Sequence, residues 1–189
     1  MSFARAYIKV IDSINYRIGR TVMYGIFVMA GILLWSSISK TFFDPTLWTL
    51  EMAQFAMVTY YVLGGPYSIQ LGSNVRMDLF YGEWSDRRKA QVDAITVFLL
   101  LFYLGVLLYG GLGSLAYSLG HYKGENFKFL FDLVIGAQEV GRLERSATAW
   151  RPEIWPIKLI MCVGVLLMLL QAISELLKDI IKIKGGVVQ

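Results

Sequence analysis

Long uncharged apolar runs alternate with short charged clusters along the chain, and this pattern predicts the architecture. The first run, Thr21 to Ile38, has Arg17 and Arg20 before it and Lys40 after it. It is long enough to span a bilayer, which takes roughly 20 apolar residues. No small-x-small cleavage pattern follows it, so it reads as a retained span rather than a leader. Ahead of it, Phe3, Tyr7, Ile11, Ile14 and Ile18 recur every three or four residues, while Arg5, Lys9, Asp12 and Arg17 fall largely elsewhere. That spacing predicts an amphipathic helix on the membrane surface, with a cytoplasmic extension of the first span as the alternative.

The second run, Trp48 to Leu71, carries Glu51 and Gln54 near its start and Gly64-Gly65-Pro66 in its later half. A membrane tolerates such a proline where neighbouring helices satisfy the freed carbonyl, so this run also reads as a span. Arg76, Asp78, Glu83 and the Asp86 to Lys89 cluster then predict a compact polar loop. The third run, Ala94 to Leu119, places Gly110, Ser114 and Ser118 at four-residue intervals, spacing that lets another helix approach closely. The fourth, Ile157 to Leu177, follows Trp155-Pro156, with proline suited to a first helical turn. Its charged continuation includes Glu175, Lys178, Asp179 and Lys182.

The expected fold is thus an all-α membrane protein: a single domain, residues 1–189, with four transmembrane helices at about 19–40, 48–71, 92–119 and 156–178. An N-terminal amphipathic helix precedes them. A short interfacial helix is expected in the outer loop, where Phe127 to Ile135 is too apolar for a free linker.

Composition agrees: 56% of residues are hydrophobic, only 17% are charged, and mean hydropathy is +0.54. The net charge of +4 flanks apolar runs, which points to membrane orientation rather than nucleic acid. Eleven of the eighteen Lys and Arg residues fall on the side that holds both termini and the 76–89 loop. The other seven are spread over far more chain, chiefly 120–156, where Glu125, Asp132, Glu139, Glu144 and Glu153 offset them. Positive-inside then puts both termini in the cytoplasm.

Candidate chemistry is sparse. The single Cys162 excludes an internal disulfide and a cysteine zinc site, and the single His121 lacks an orienting group for catalysis. No catalytic residue, metal ligand or cofactor site is expected. Glu51 is the best candidate for a transport carboxylate, since small four-helix exporters depend on a membrane-embedded Glu. It lies three residues after Trp48, however, at interface depth, which suits a snorkelling or partner-facing carboxylate better. The Gln171, Glu175, Lys178 and Lys182 face suits helix pairing or solvation better than an ion path. Glu139, Arg142, Glu144 and Arg145 lie close together in the outer loop, where a docking partner could meet them.

Two stretches resemble a known family when taken together. GGPYSIQLGSNVRMDLFYGEWSDRRKAQVD resembles the Arg-Gly-x-His-Val-x-Val-Asp pattern after the second span of the DctQ-like small membrane subunits of tripartite ATP-independent periplasmic (TRAP) transporters. Gly72, Val75, Met77 and Asp78 stand in register, while Leu71 replaces the usual Arg and Asn74 the usual His, so a role for either is inapplicable. The later stretch resembles the family's Trp-x-Pro-x-x-Trp-Pro-x-Lys at Trp150, Pro152, Trp155, Pro156 and Lys158, followed by Leu169, Leu170 and Gln171. The resemblance implies a non-catalytic subunit in the bacterial inner membrane. It would pack beside a large permease that moves an organic acid with sodium, and a periplasmic binding protein would deliver that acid. A self-contained four-helix exporter is the alternative reading.

Overall fold

The computed structural model describes residues 2–72, 84–122 and 124–183, and the described residues are helical without a named strand. Asp78, Arg76 and Glu83 lie outside them. In chain order the helices are α1 (Ser2–Val22), α2 (Gly25–Phe42), α3 (Thr49–Gln70), α4 (Asp86–Ser118), α5 (Asn126–Ile135) and α6 (Trp155–Ile183).

Three helical stretches are long and apolar enough to cross a membrane: Ala4–Phe42, Gln91–Ser118 and Trp155–Ile183. The first joins α1 to α2 through a turn at Met23-Tyr24, where the Tyr24 amide donates to the Thr21 carbonyl at 3.3 Å. Helix α3 is less apolar because it carries Glu51, Gln54, Gln70 and a buried Pro66. Its 22 residues, about 33 Å, are nonetheless long enough to cross. α4 begins at Asp86, so the end of the expected polar loop is the first turn of a helix instead.

Helix α6 is the hub, packing against α4, α3 and α1, while α2 rests on α3. Glycines set the closest approaches. A Cβ on Gly164 would sit 2.3 Å from Val62 Cγ1, one on Gly65 would sit 2.7 Å from Met168 Sδ, and one on Gly19 would overlap Tyr67. At Gly164 and Gly19 only a missing side chain lets two helices meet, whereas at Gly65 the flexible Met168 side chain can give way. Two apolar clusters line the α4–α6 seam: Leu104, Val165 and Ala172, and, at its other end, Leu115, Ala116, Leu119, Phe129 and Cys162.

The first half of α1 crosses α6 rather than running along it. Tyr7 and Asn15 are eight residues, about 12 Å, apart on α1, yet they reach Leu170 and Gln171, adjacent residues of α6. The apolar spacing noted in α1 therefore serves protein packing as well as lipid. Ile8 is buried, Tyr7, Ile11 and Ile18 are half-buried, and Ile14 is exposed.

Between α4 and α6, α5 buries Phe129 and leaves Phe127, Phe131, Val134 and Ile135 exposed. The loop after it folds back on α4. The Gly141 amide donates to the Leu119 carbonyl at 2.9 Å and the Glu144 amide to the Ser118 carbonyl at 3.0 Å. Gly120 has φ 89°, and a Cβ there would lie 2.6 Å from the Arg142 nitrogen, so this contact requires glycine.

Candidate functional site: polar ties at the two ends of the bundle

Polar side chains gather at opposite ends of α6. In the C-terminal half of α6, starting two residues past its midpoint, Gln171 is fully buried and Asn15 of α1 nearly so. Asn15 donates to Gln171 Oε1 at 2.7 Å, and Gln171 Nε2 donates to Asp12 Oδ1 at 3.0 Å and to Glu175 Oε1 at 2.9 Å. Ser174 donates to Asp12 Oδ1 at 3.0 Å, and Lys178 lies 2.7 Å from both Asp12 Oδ2 and Glu175 Oε1. Gln70 Nε2 donates to the Asp12 carbonyl at 3.2 Å, which brings in α3.

Gln171, Ser174, Glu175 and Lys178 fall on one helical stripe, and Asp12 with Asn15 face it from α1. The stripe is thus a helix-pairing face. Charge held away from water persists only where it is paired and hydrogen-bonded, and here one ammonium serves two carboxylates that also accept from amides and a hydroxyl, while Asn15 Oδ1 and Gln70 Oε1 are left buried without a partner among the described residues.

At the other end Glu51, 6% exposed, sits in the first turn of α3. Its Oε1 accepts from Ser146 at 2.9 Å and from Thr148, both in the loop before α6, and its Oε2 is buried without a partner among the described residues. Glu51 therefore anchors this chain's own loop. Nearby hydroxyls close the α2–α3 corner. Thr49 donates to Ser36 Oγ at 3.1 Å, Thr46 and Thr49 share a 2.9 Å bond, and Ser39 and Thr46 are 3.4 Å apart. Pro45 ends α2 here by restricting Asp44 to extended backbone.

Lys158, one turn into α6, lies 2.6 Å from Glu144 Oε2 and donates to the Ser114 carbonyl at 3.3 Å. Its ammonium stands 5.8 Å from the centre of the Tyr117 ring. One lysine thus ties the loop, α4 and α6 together. Trp155 donates to Glu153 Oε2 at 3.1 Å and packs on the Leu115 cluster, and Pro156 occupies the first turn of α6.

The other sequence-selected residues separate. Glu139 and Arg142 are exposed, Arg145 is exposed and 3.7 Å from Glu153, and Glu144 is drawn inward by Lys158. Gly110 is exposed with nothing within 4 Å of an added Cβ, Ser114 is half-buried, and Ser118 is fully buried within this chain, donating to the Leu115 carbonyl at 2.8 Å. Gly72 takes φ 62° just after α3, a left-handed helix-ending position that favours glycine. His121 stacks on Phe129, ring centres 4.4 Å apart. Among the described residues, no group of three or more His, Cys, Asp and Glu side chains is placed to hold a metal.

Sequence reasoning missed Asp12, Asn15, Ser146, Thr148 and Ser174. Only the first two carried a signal: an i, i+3 polar pair on the side of α1 that also holds Ile8 and Ile11, which matches the stripe on α6.

Apolar helices of spanning length, with inward polar groups tying their ends, define a multi-pass membrane protein. The model of the family described as "Tripartite ATP-independent periplasmic transporters, DctQ component" matches residues 29–182, and the chain belongs to that family. It is a small membrane component of a TRAP transporter. No curated protein and no solved structure matches the chain.

Proposed function

We propose that this chain is a non-catalytic scaffold subunit in the bacterial inner membrane. In this reading it packs beside the large permease of a sodium-coupled transporter for organic acids and helps dock the periplasmic binding protein. The observation that carries the reading is where the polar groups go. Glu51, Gln171, Glu175 and Lys178 would be candidates for an ion path; Glu51, Gln171 and Lys178 are each engaged by another segment of this same chain, and Glu175 by Gln171 and Lys178 of its own helix. A transporter working alone needs polar ligands open to substrate near the midplane. The tie between Glu51 and its own loop also counts against the self-contained exporter.

Four spans, formed by α2, α3, α4 and α6, fit the helix lengths, with the less apolar α3 shielded between α1, α2 and α6. The crossing of α1 over α6 fits a helix lying along the membrane surface. Arg5, Lys9, Arg17 and Arg20 then gather with the C-terminal ends of α3 and α6 on the cytoplasmic side. The 120–154 segment faces the periplasm, where α5 lies in the interface on its exposed apolar side.

The outward apolar residues of α2 and α4, among them Phe27, Leu34, Phe98, Phe102 and Tyr109, are available to lipid and to the large subunit. Co-purification from membranes tests the reading. A tagged copy of this chain is expected to retain the large permease in mild detergent, and a chain recovered alone from cells that make both would refute it.

A further inference from the structure

We propose that α1 is a recognition helix for anionic phospholipid, its basic stripe binding phosphate headgroups at two places about 16 Å apart, at Arg5 with Lys9 and at Arg20. The inference deepens the membrane reading above, because it rests on α1 lying along the membrane surface.

At about 100° per residue, the side chains of α1 fall into three arcs. One faces the bundle and holds Tyr7, Ile8, Ile11, Asp12, Asn15 and Gly19. A second holds Arg5, Lys9, Tyr16 and Arg20 within about 60° of one another. A third holds Val10 and Ile14, both exposed, with Arg17 between the second arc and the third. A helix lying across the end of a membrane bundle needs these three sides: one for protein, one for headgroups and one for acyl chains.

The charge on the outward side is all of one sign. Asp12 is the only acidic residue in α1, and it is turned inward onto Lys178, Gln171 and Ser174. The tie thus turns away from the basic arc the only carboxylate that α1 carries. Arg20 is also held in place. It donates to the Tyr16 hydroxyl at 2.8 Å, its guanidinium lies 5.7 Å from the centre of that ring, and Tyr16 meets Tyr67 of α3 edge-on at 5.8 Å. Its guanidinium has further N–H groups to offer a phosphate in the paired geometry that suits arginine. Exposed Val10 and Ile14, on the adjoining arc and between Lys9 and Arg20 along the helix, favour phosphates that carry acyl chains over free ones.

Native mass spectrometry of the full-length chain in detergent tests this, with phosphatidylglycerol, phosphatidylcholine and inorganic phosphate as probes. Phosphatidylglycerol is expected to be retained at least tenfold better than phosphatidylcholine. The triple substitution Arg5→Gln, Lys9→Gln, Arg20→Gln should lower that retention by roughly two orders of magnitude, at about fivefold per charge. The same charge change made at Lys40, Lys128 and Arg142 should leave retention unchanged. Equal retention of the two lipids, an unaffected triple variant, or inorganic phosphate competing as well as the lipid would each overturn the proposal. Co-purification of the triple variant with the large permease separates this failure from failure of the scaffold reading, since the basic arc is not assigned to that contact.

Discussion

Lys178 decides how α1 is held, because among the described residues it is the one cation paired with both Asp12 and Glu175. Its side chain is only 14% exposed, so removing it leaves two carboxylates facing each other with little water. Breaking a buried pair from one side typically costs about 3–5 kcal/mol, whereas replacing both partners together costs much less. Lys178→Met should therefore destabilise the chain more than Asp12→Asn. The double variant should recover part of the loss, giving a coupling of about 0.5–3 kcal/mol in a denaturant-unfolding cycle in detergent. Additive effects would mean that the two groups do not depend on each other. The helix-pairing face on α6 was legible in its spacing, but the pairing itself was not: Asp12 reads as part of a polar face, and only its partner on a helix some 160 positions away turns it inward.

At the scale of elements, apolar periodicity marked the helices and their order. The apolar run read at 48–71 coincides with a helix, α3 at Thr49–Gln70, because Asp44-Pro45 and Gly72 punctuate both ends. The boundaries at 92 and 178 fell inside helices that run from Asp86 and on to Ile183. Hydrophobicity reports what lipid covers, and a helix continues into water wherever its backbone bonds and neighbours sustain it. What α1 faces was not legible either, since an amphipathic stripe fits a protein groove as well as a bilayer. Between α4 and α6, the apolar run at 127–135 was readable as a helix, but the fold-back held by Gly120, Gly141 and Lys158 depends on contacts that one strand of sequence does not display.

Two predictions belong to this scale. With Cys162→Ser as background, Ala149→Cys should react with an impermeant thiol reagent added outside intact cells, and Ser85→Cys should not; the reverse pattern would invert the orientation. Arg142 and Arg145 are exposed, and the 3.7 Å contact of Arg145 with Glu153 contributes little at the surface. Reversing both charges should slow delivery by the binding protein and alter its salt dependence while the membrane complex stays intact. Gly110→Trp should do the opposite. Its outward position leaves room within this chain, so a bulky side chain would disturb only what packs against α4. Co-purification yield and binding-protein-dependent uptake, measured on both variants, distinguish the two surfaces. Equal loss of co-purification in both would show that this division is wrong.

For the whole molecule, the account is that the polar groups of the bundle are spent on holding it together, with Asp12, Gln171 and Lys178 at one end and Glu51, Glu144 and Lys158 at the other. What remains outward is apolar surface on α2 and α4, the basic arc of α1 and the charged loop after α5. On the proposed scaffold reading, such a molecule supports transport without performing it. Proteoliposomes test this most directly, with uptake of a candidate organic acid measured under a sodium gradient. The account predicts no uptake above empty vesicles for this chain alone, and uptake once the large permease and the loaded binding protein are supplied with it. Gradient-driven uptake by this chain alone would contradict it.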